Sequence, residues 1–358
     1  MSVARDEVVA EVRRLADEIA QVSDRPATLM EVCGTHAHQF ARYGLGQMLP
    51  VQVELLSGPG CPVCVTPVGE IDAALALARV PEVTVATFGD MVRVPGSEST
   101  LAHERARDAD VKVIFSPMEA VDLAERSDRQ VVLLGVGFET TAPGVAVAVQ
   151  QAHLRELDNF SVLCAHKRLI PALDALMAAP DVALDGLLAP GHVSTIIGWG
   201  AYGEFVNEHQ VPCVVAGFEP DEVMRAVLAL VRQLAEDRAE VENEYPGPVS
   251  ERGNTRALAV MEEVFEPVDA EWRGLGVIPL GGMALRERHV HLDAAARFEI
   301  EVPEGREDPR CRCGEVLRGA IRPQQCGAFG AICTPAHPLG PCMVSSEGAC
   351  AAAYRYGA

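Results

Sequence analysis

The cysteines of this chain are concentrated near its C-terminal end, and this constrains the fold more than any other feature. Six of the eleven cysteines lie between residues 311 and 350, within the segments CRCG, QCGAFGAIC, GPC and EGAC. Glycine and proline interrupt these segments, so the backbone can turn often and bring several sulfur atoms together. Four of the six, Cys313, Cys326, Cys333 and Cys350, are spaced as C-x12-C-x6-C-x16-C. Four thiolates suit either a [4Fe–4S] cluster or a tetrahedral zinc ion.

The spacing of these cysteines favours an iron–sulfur cluster over zinc. Structural zinc sites usually contain pairs of the type C-x2–4-C, and the tail sequence contains no such pair. Cys311 and Cys342 are in excess of the four, and either of them can replace one of the named ligands. The tail is therefore predicted to be a cysteine-rich [4Fe–4S] domain, with the identity of the fourth ligand open.

Composition and charge limit the classes of function. The chain has 358 residues, enough for two or three domains with their own cores. Its formal net charge of −21 argues against nucleic acid and against anionic membrane surfaces, which attract Lys and Arg clusters. Residues 1–21 have the pattern of an amphipathic helix rather than a signal peptide, and no apolar run is long enough to span a bilayer. We therefore expect a cytoplasmic protein, whose reduced thiols are metal ligands or redox groups.

Short apolar segments alternate with helical patterns along the first 245 residues. The predicted strands cover residues 28–33, 51–58, 83–89, 111–116, 130–137, 160–166, 184–191 and 211–218. Helical patterns follow several of them, for example at 70–80 and 116–127. Buried strands alternating with helices predict an α/β fold with mostly parallel sheets.

The strand pattern also recurs along the chain. Residues 29–33 align with 160–164, residues 55–61 with 187–192, and residues 85–90 with 214–220. Three matches at one spacing predict two similar, duplicated α/β units, although Val- and Leu-rich strands can also resemble each other by chance. The predicted domains are residues 1–127, residues 128–245 and a C-terminal cluster domain at 246–358, with a linker at 242–254.

The hexapeptide CGTHAH places Cys33 and His36 where a strand turns into a helix. A thiol at a helix N-terminus lies near unpaired N–H groups, which favour its thiolate form. Cys33 and His36, three residues apart, can face one metal ion. The alternative is a buried structural cysteine beside a capping Thr35.

The segment GPGCPVC contains Cys61 and Cys64 in a C-x-x-C arrangement after another predicted strand. Two such thiols can form a disulfide, and the helix N-terminus activates the first of them. The alternative is half of a zinc site, which needs a second cysteine pair nearby in sequence. The sequence has no such pair close to the segment, so a redox dithiol is favoured.

Three further motifs follow predicted strands and contain polar residues. Glu139 and Thr140 lie in GFETTAP, His192 lies in APGHVS, and Asp90 lies in FGDMVRVPG with Arg93. Loops at the carboxyl ends of parallel strands form ligand crevices, so these side chains are candidates for acid–base or binding roles. Helix capping by threonine, a structural histidine and an Asp90–Arg93 ion pair are the alternatives.

These motifs together resemble one protein family. CGTHAH, GPGCPVC, FGDMVRVPG, GVGFETTAP, APGHVS and the tail segments CRCGEVLRG, QCGAFGAICTP and CMVSSEGACAAAYRYG resemble the HypD family of hydrogenase maturation factors. The resemblance extends from about residue 28 to the C-terminus, with the motifs in the expected order. It implies a protein that helps to assemble the Fe(CN)2CO part of the [NiFe]-hydrogenase active site. It also implies a scaffold complex with HypC and delivery of cyanide by HypE.

The resemblance also implies roles for single residues. Cys33 would bind the iron of Fe(CN)2CO together with a HypC cysteine, with His36 beside it, and Cys61 and Cys64 would be a dithiol/disulfide pair. The remaining assignments are a cleft lined by Asp90, Glu139, Thr140 and His192, and a [4Fe–4S] cluster on Cys313, Cys326, Cys333 and Cys350. The arrangement is similar to ferredoxin–thioredoxin reductase, so the tail is expected to fold back until its cluster approaches Cys61 and Cys64.

Two other functions compete with this one. A dithiol oxidoreductase with a structural zinc tail would contain zinc and no iron, whereas a non-catalytic interaction protein would tolerate the loss of both Cys61 and Cys64.

Overall fold

A computed structural model describes residues 2–300 and 304–357 of the chain. The strands in these ranges are β1 (Ala27–Glu31), β2 (Val53–Ser57), β3 (Val83–Thr87), β4 (Asp110–Val113), β5 (Gln130–Gly137), β6 (Phe160–His166), β7 (Gly186–Pro190), β8 (Cys213–Ala216), β9 (Val241–Asn243), β10 (Phe265–Trp272) and β11 (Gly276–Leu285). The helices are α1 (Ser2–Val22), α2 (Gly34–Tyr43), α3 (Pro62–Val65), α4 (Val68–Ala78), α5 (Leu101–Arg105), α6 (Pro117–Glu125), α7 (Ala142–Leu154), α8 (Leu169–Met177), α9 (Gly191–Ile197), α10 (Gly203–His209), α11 (Pro220–Ala235), α12 (Thr255–Val264), α13 (Ala294–Arg297), α14 (Cys313–Leu317) and α15 (Ala349–Tyr356).

Two parallel sheets form the centre of the molecule, and they confirm the predicted α/β fold. The first sheet has the strand order β2-β1-β7-β8-β9 and the second has the order β4-β3-β5-β6. Every strand pair within these two sheets is parallel. Helices cover the sheet faces, which explains why the strands are nearly continuous apolar runs rather than alternating ones. All eight predicted strands are present, with ends that differ by a few residues.

The two sheets group the strands differently from the ranges 1–127 and 128–245. The first sheet takes β1 and β2 from the early part of the chain and β7, β8 and β9 from the later part. The second sheet takes β3, β4, β5 and β6, so the chain leaves the first unit and later returns to it. A recurring strand pattern shows where strands lie in sequence but not which strands become neighbours. Strand β9, which forms the edge of the first sheet, overlaps the first two residues of the segment 242–254.

An antiparallel hairpin, β10 with β11, fills the region before the tail where the sequence predicted no elements. Its tip lies close to the CPVC helix α3, since the backbone N–H of Arg273 donates to the carbonyl of Val65 at 2.8 Å. The buried side chain of Trp272 supports the tip by donating from Nε1 to the Gly281 carbonyl at 3.0 Å. The hairpin therefore connects the second sheet to the cysteine-rich tail.

Helix α1 buries Val12, Leu15 and Ile19 on one face, in agreement with the amphipathic pattern of residues 1–21. It packs against α11 in the core that covers the first sheet. Within the described residues, none of the helices combines the length and the apolar composition needed to cross a bilayer.

The carboxyl ends of β1 and β2 bring the CGTH and CPVC motifs into direct backbone contact. The N–H of Gly34 donates to the carbonyl of Gly60 at 2.9 Å. A Cβ atom added to Gly60 would lie 2.0 Å from the backbone nitrogen of Cys33, which is far inside van der Waals contact. Glycine at position 60 is therefore needed for the two loops to touch.

We expect Gly60→Ala to lower the free energy of unfolding by about 1–3 kcal/mol or more, because backbone must move to admit the methyl group. Gly203→Ala is the matched control, since an added Cβ there meets nothing within 4 Å. Urea unfolding of both variants measures the difference. Equal stabilities of the two variants would contradict the close contact between the loops.

Candidate metal and thiol site

Cys33 lies at the end of β1 and caps the N-terminus of α2, as the sequence predicted. Its backbone N–H donates to a carboxylate oxygen of the buried Glu31 at 2.8 Å. The predicted thiolate is wrong for the metal-free chain: burial, and then the neighbouring Glu31 charge, raise the pKa of Cys33 to about 12. A helix N-terminus contributes only about 0.3–1 kcal/mol, which is too little to offset that desolvation.

His36 is completely buried one helical turn after Cys33. Its Nε2 donates to the carbonyl of Gly217 at 2.8 Å, a contact that ties α2 to the loop after β8. The Nδ1 atom is buried without a partner among the described residues. Burial lowers the pKa of His36 to about 4, so the ring is neutral at pH 7 and Nδ1 keeps its lone pair. A neutral imidazole nitrogen is the form that binds metal ions.

His192 lies next to the Cys33 loop, at the end of β7. Its exposed ring stacks on Phe218 with 3.9 Å between ring centroids, and Phe218 also contacts the His36 ring at 5.2 Å. The loops after β1, β7 and β8 therefore meet at one edge of the first sheet, as parallel strand ends must.

Glu347, from the cysteine-rich tail, also reaches this place. Its carboxylate accepts a hydrogen bond from Thr35 Oγ1 at 2.8 Å, and its charge contributes to the raised pKa of Cys33. Gly34 lies so close that an added Cβ would be 2.6 Å from Glu347 Cβ. The tail thus forms one wall of the Cys33 site.

Cys61 and Cys64 occupy the start and the middle of the short helix α3. The Cys61 sulfur accepts a hydrogen bond from the backbone N–H of Cys64 at 3.2 Å. Both residues are buried, and burial raises the pKa of Cys64 well above its usual range. The two thiols are therefore adjacent, with Cys61 held in a geometry that stabilises a negative sulfur.

All six tail cysteines line one small cavity. They are Cys311, Cys313, Cys326, Cys333, Cys342 and Cys350. Gly340 belongs to the cavity wall, and an added Cβ there would lie 2.5 Å from the sulfur of Cys311. Position 340 must therefore stay free of a side chain for Cys311 to face the cavity. The donor set fits an iron–sulfur cluster, whose usual protein ligands are cysteine thiolates.

The tail folds back onto the CPVC helix, as the sequence predicted. The side chain of Cys342 interacts with that of Cys64, and the sulfur atoms of Cys313 and Cys342 are 2.8 Å apart. Cys61, Cys64, Cys313 and Cys342 belong to a single buried core. A continuous series of thiols therefore connects the dithiol motif to the cysteine-lined cavity.

Asp90 and Arg93 hold the tail in place rather than pairing with each other in the structure. Asp90 accepts a hydrogen bond from Ser345 Oγ at 3.0 Å. Arg93 donates from Nη2 to the carbonyl of Val344 at 3.4 Å. Both contacts lie between Cys342 and Glu347, so they support the segment that joins the thiol series to the Cys33 loop.

Glu139 and Thr140 follow β5 in the second sheet, whereas Cys33 follows β1 in the first sheet. Glu139 is buried, accepts from the backbone N–H of Leu169 at 3.0 Å, and keeps a second oxygen without a described partner. Burial raises its pKa. Thr140 is exposed.

Sequence reasoning missed Glu31 and Glu347. Glu31 carried a usable signal, because a single acid inside an otherwise apolar strand is seldom buried without a polar partner. Glu347 carried none, since its contact with Thr35 joins residues 312 positions apart and exists only after the tail has folded back.

The buried neutral His36 predicts a pH-dependent stability of the metal-free chain. The unfolded chain binds a proton at His36 below about pH 6.5, whereas the folded chain resists it until about pH 4. Folding stability from this group is therefore lost as the pH falls from 6.5 toward 4. Between pH 7.5 and 5.0, we expect wild type to lose about 2 kcal/mol more than His36→Gln in urea unfolding.

His103→Gln is the control for this comparison, because His103 is exposed. It should retain the pH dependence of the wild type. If the free energy of unfolding changes equally with pH in the wild type and in His36→Gln, the buried neutral state of His36 is contradicted.

Comparisons with known proteins agree with this description. A sequence model of the family described as "HypD: Hydrogenase formation hypA family" matches residues 10–357. The hydrogenase maturation factor HypD of Azotobacter vinelandii is 47% identical over 358 residues, covering 97% of this chain and 94% of that protein. HypD of Escherichia coli K12 is 46% identical over 352 residues, covering 98% of this chain and 94% of that protein.

The fold and the site define a thiol-rich α/β protein of the hydrogenase maturation class. With a family match over nearly its whole length and relatives above 45% identity, the chain belongs to the HypD family of hydrogenase maturation factors.

Proposed function

We propose that the protein is a scaffold on which the Fe(CN)2CO unit of [NiFe]-hydrogenase is assembled, with HypC as partner and HypE as the source of cyanide. The iron is cargo here rather than a resident cofactor. The observation that carries the proposal is the unbroken thiol series from Cys61 and Cys64 through Cys342 to Cys313, beside the Cys33 loop. Such a series links a metal-binding cavity to a dithiol and to an iron-binding position.

The packing of the tail cysteines supports a revised ligand set for the cluster. Cys313 and Cys342 are buried in the central core together with Cys61 and Cys64. Cys326, Cys333 and Cys350 pack around Ala328 and Met343 in a separate small cluster, and Cys350 also contacts the central core. We therefore propose Cys326, Cys333 and Cys350 as three of the four ligands.

The fourth ligand is Cys311 rather than the expected Cys313. Cys311 is close enough to influence the pKa of Cys333, as Cys350 also does. Cys313 is already occupied by its close contact with Cys342. A [4Fe–4S] cluster bound by these four residues would supply one-electron transfer.

Cys61, Cys64, Cys313 and Cys342 are arranged for thiol–disulfide exchange. With Cys61 and Cys64 joined as a disulfide, the Cys342 sulfur next to Cys64 can attack the Cys64 sulfur as it loses its proton, and the released Cys61 sulfur takes up a proton. Attack by Cys313 on Cys342 then releases Cys64 and forms a Cys313–Cys342 disulfide. One disulfide is broken and one is formed, so the two oxidising equivalents move between the pairs without an external oxidant.

The Cys33 loop is arranged to bind the cargo iron. Loss of the Cys33 proton is unfavourable in the metal-free chain, so a cation must replace it. His36 Nδ1 provides a free lone pair close by, and Glu31, Glu347 and His192 surround the loop. These residues would position the iron, with a HypC cysteine as a further ligand.

Metal analysis of anaerobically purified protein tests the cluster and the ligand set together. We expect iron and sulfide in the wild type, their loss in Cys311→Ala, and their retention in Cys313→Ala. Cys313→Ala should keep its iron because Cys313 contacts Cys342 and is not one of the four proposed ligands. Loss of iron from Cys313→Ala together with its retention in Cys311→Ala would instead support Cys313, Cys326, Cys333 and Cys350 as the ligands. One zinc per chain without iron would favour a dithiol oxidoreductase instead.

Infrared spectroscopy of the complex with HypC tests the role of Cys33. We expect Cys33→Ala to abolish the cyanide and carbonyl bands, because the iron loses its ligand from this chain, while the cluster iron remains. Cys164→Ala is the control, since Cys164 lies in β6, outside the thiol series. Bands that persist in Cys33→Ala would remove Cys33 from the ligand role.

A further inference from the structure

Arg273 is a buried cation at the tip of the β10–β11 hairpin, only 4% exposed. The tip lies between two helices that carry cysteines, α3 with the CPVC motif and α14 with Cys313. Gly274, directly after it, has φ +82°, and an added Cβ there would lie 2.5 Å from the backbone of Gly314. Close backbone contact therefore fixes the distance between Arg273 and the CRCG segment.

Two of the three guanidinium nitrogens of Arg273 are engaged in structural contacts. Its Nε donates to the carbonyl of Thr66 at 3.1 Å, and its Nη1 donates to Glu307 at 2.7 Å. The Nη2 group is buried and has no hydrogen-bond partner within residues 2–300 and 304–357. Burying an N–H donor without an acceptor costs free energy on folding, so we expect Nη2 to gain a hydrogen-bond acceptor when the site is filled.

Cys311 is the neighbouring group that can become this partner. Arg273 and Cys311 line the same cleft, which has a volume of about 820 Å3 and opens to solvent. Gly274, directly after Arg273, packs against Gly314, which lies in the same CRCG segment as Cys311. The hairpin tip therefore holds the buried guanidinium beside the segment that carries this sulfur.

We propose that Arg273 is a positioning residue for the cluster: its free Nη2 donates to the sulfur of Cys311 once that sulfur binds iron, and it thereby raises the reduction potential. Hydrogen bonds to ligand sulfurs and nearby positive charge stabilise the reduced form, which carries one more negative charge. The inference rests on the proposed function, because it needs Cys311 as a cluster ligand.

A purely structural role predicts different behaviour. The contacts of Arg273 with Val65, Thr66 and Glu307 hold α3 against the hairpin, so their loss would lower stability. Loss of these contacts would leave the reduction potential of an intact cluster unchanged. A redox titration therefore separates the two roles, whereas an activity assay does not.

The experiment uses the full chain purified anaerobically, as wild type, Arg273→Gln and Arg273→Lys. Arg306→Gln is the matched control, because Arg306 lines the same cleft but its side chain is 75% exposed. Iron and sulfide are measured first. The ratio of reduced to oxidised cluster is then followed by electron paramagnetic resonance and absorption at fixed ambient potentials.

At a fixed ambient potential, the ratio of reduced to oxidised cluster is expected to fall about tenfold in Arg273→Gln, equivalent to about 59 mV for one electron. It should fall less in Arg273→Lys, which keeps the charge but not the planar donor group. In Arg306→Gln it should change less than twofold, because solvent screens an exposed charge.

An unchanged ratio in an iron-loaded Arg273→Gln protein overturns the inference, as does loss of iron from both Arg273 variants. If only Arg273→Gln loses iron, the ratio in Arg273→Lys decides: a fall supports the inference and an unchanged ratio overturns it. A wild type without iron would instead refute the proposed cluster, so the two failures are distinguishable.

Discussion

The contact between the tail and the CPVC helix is the interaction on which the rest of the site depends. Cys342 lies against Cys64 on one side and 2.8 Å from Cys313 on the other. All three are buried in the core that also contains Phe138 and Trp272, whose rings are stacked. Apolar burial therefore holds these three sulfur-bearing side chains together in the folded chain.

Burial at the Cys33 loop disfavours charged forms of its side chains. Desolvation disfavours charge on Glu31 and on Cys33, and it keeps the His36 ring neutral. The Cys33 loop is thus poor at holding a thiolate but well suited to a cation, which would repay the desolvation of its ligands. Residues from the first sheet and from the tail are both needed for this pocket, since Glu347 meets Thr35 only in the folded chain.

The chain path explains how distant motifs become neighbours. The chain forms β1 and β2, builds the whole second sheet, and then returns to complete the first with β7, β8 and β9. The CGTH loop and the loop after β8 are consequently joined by the His36–Gly217 contact across 181 residues. Contacts of such long range lock the edge of the first sheet on which Cys33 lies.

The sequence alone determined the local features of this protein. Apolar runs predicted the eight strands, the glycines and cysteines after them marked the site loops, and the cysteine-rich tail indicated metal or redox chemistry. Only the tertiary structure decided which strands share a sheet, that Cys313 faces Cys342, that Glu31 and Glu347 enclose Cys33, and that Arg273 and Cys311 line one cleft. The physical reason is range: hydrophobic periodicity and turn chemistry act over a few residues, whereas pairing and desolvation depend on groups that folding brings together from far apart in the chain.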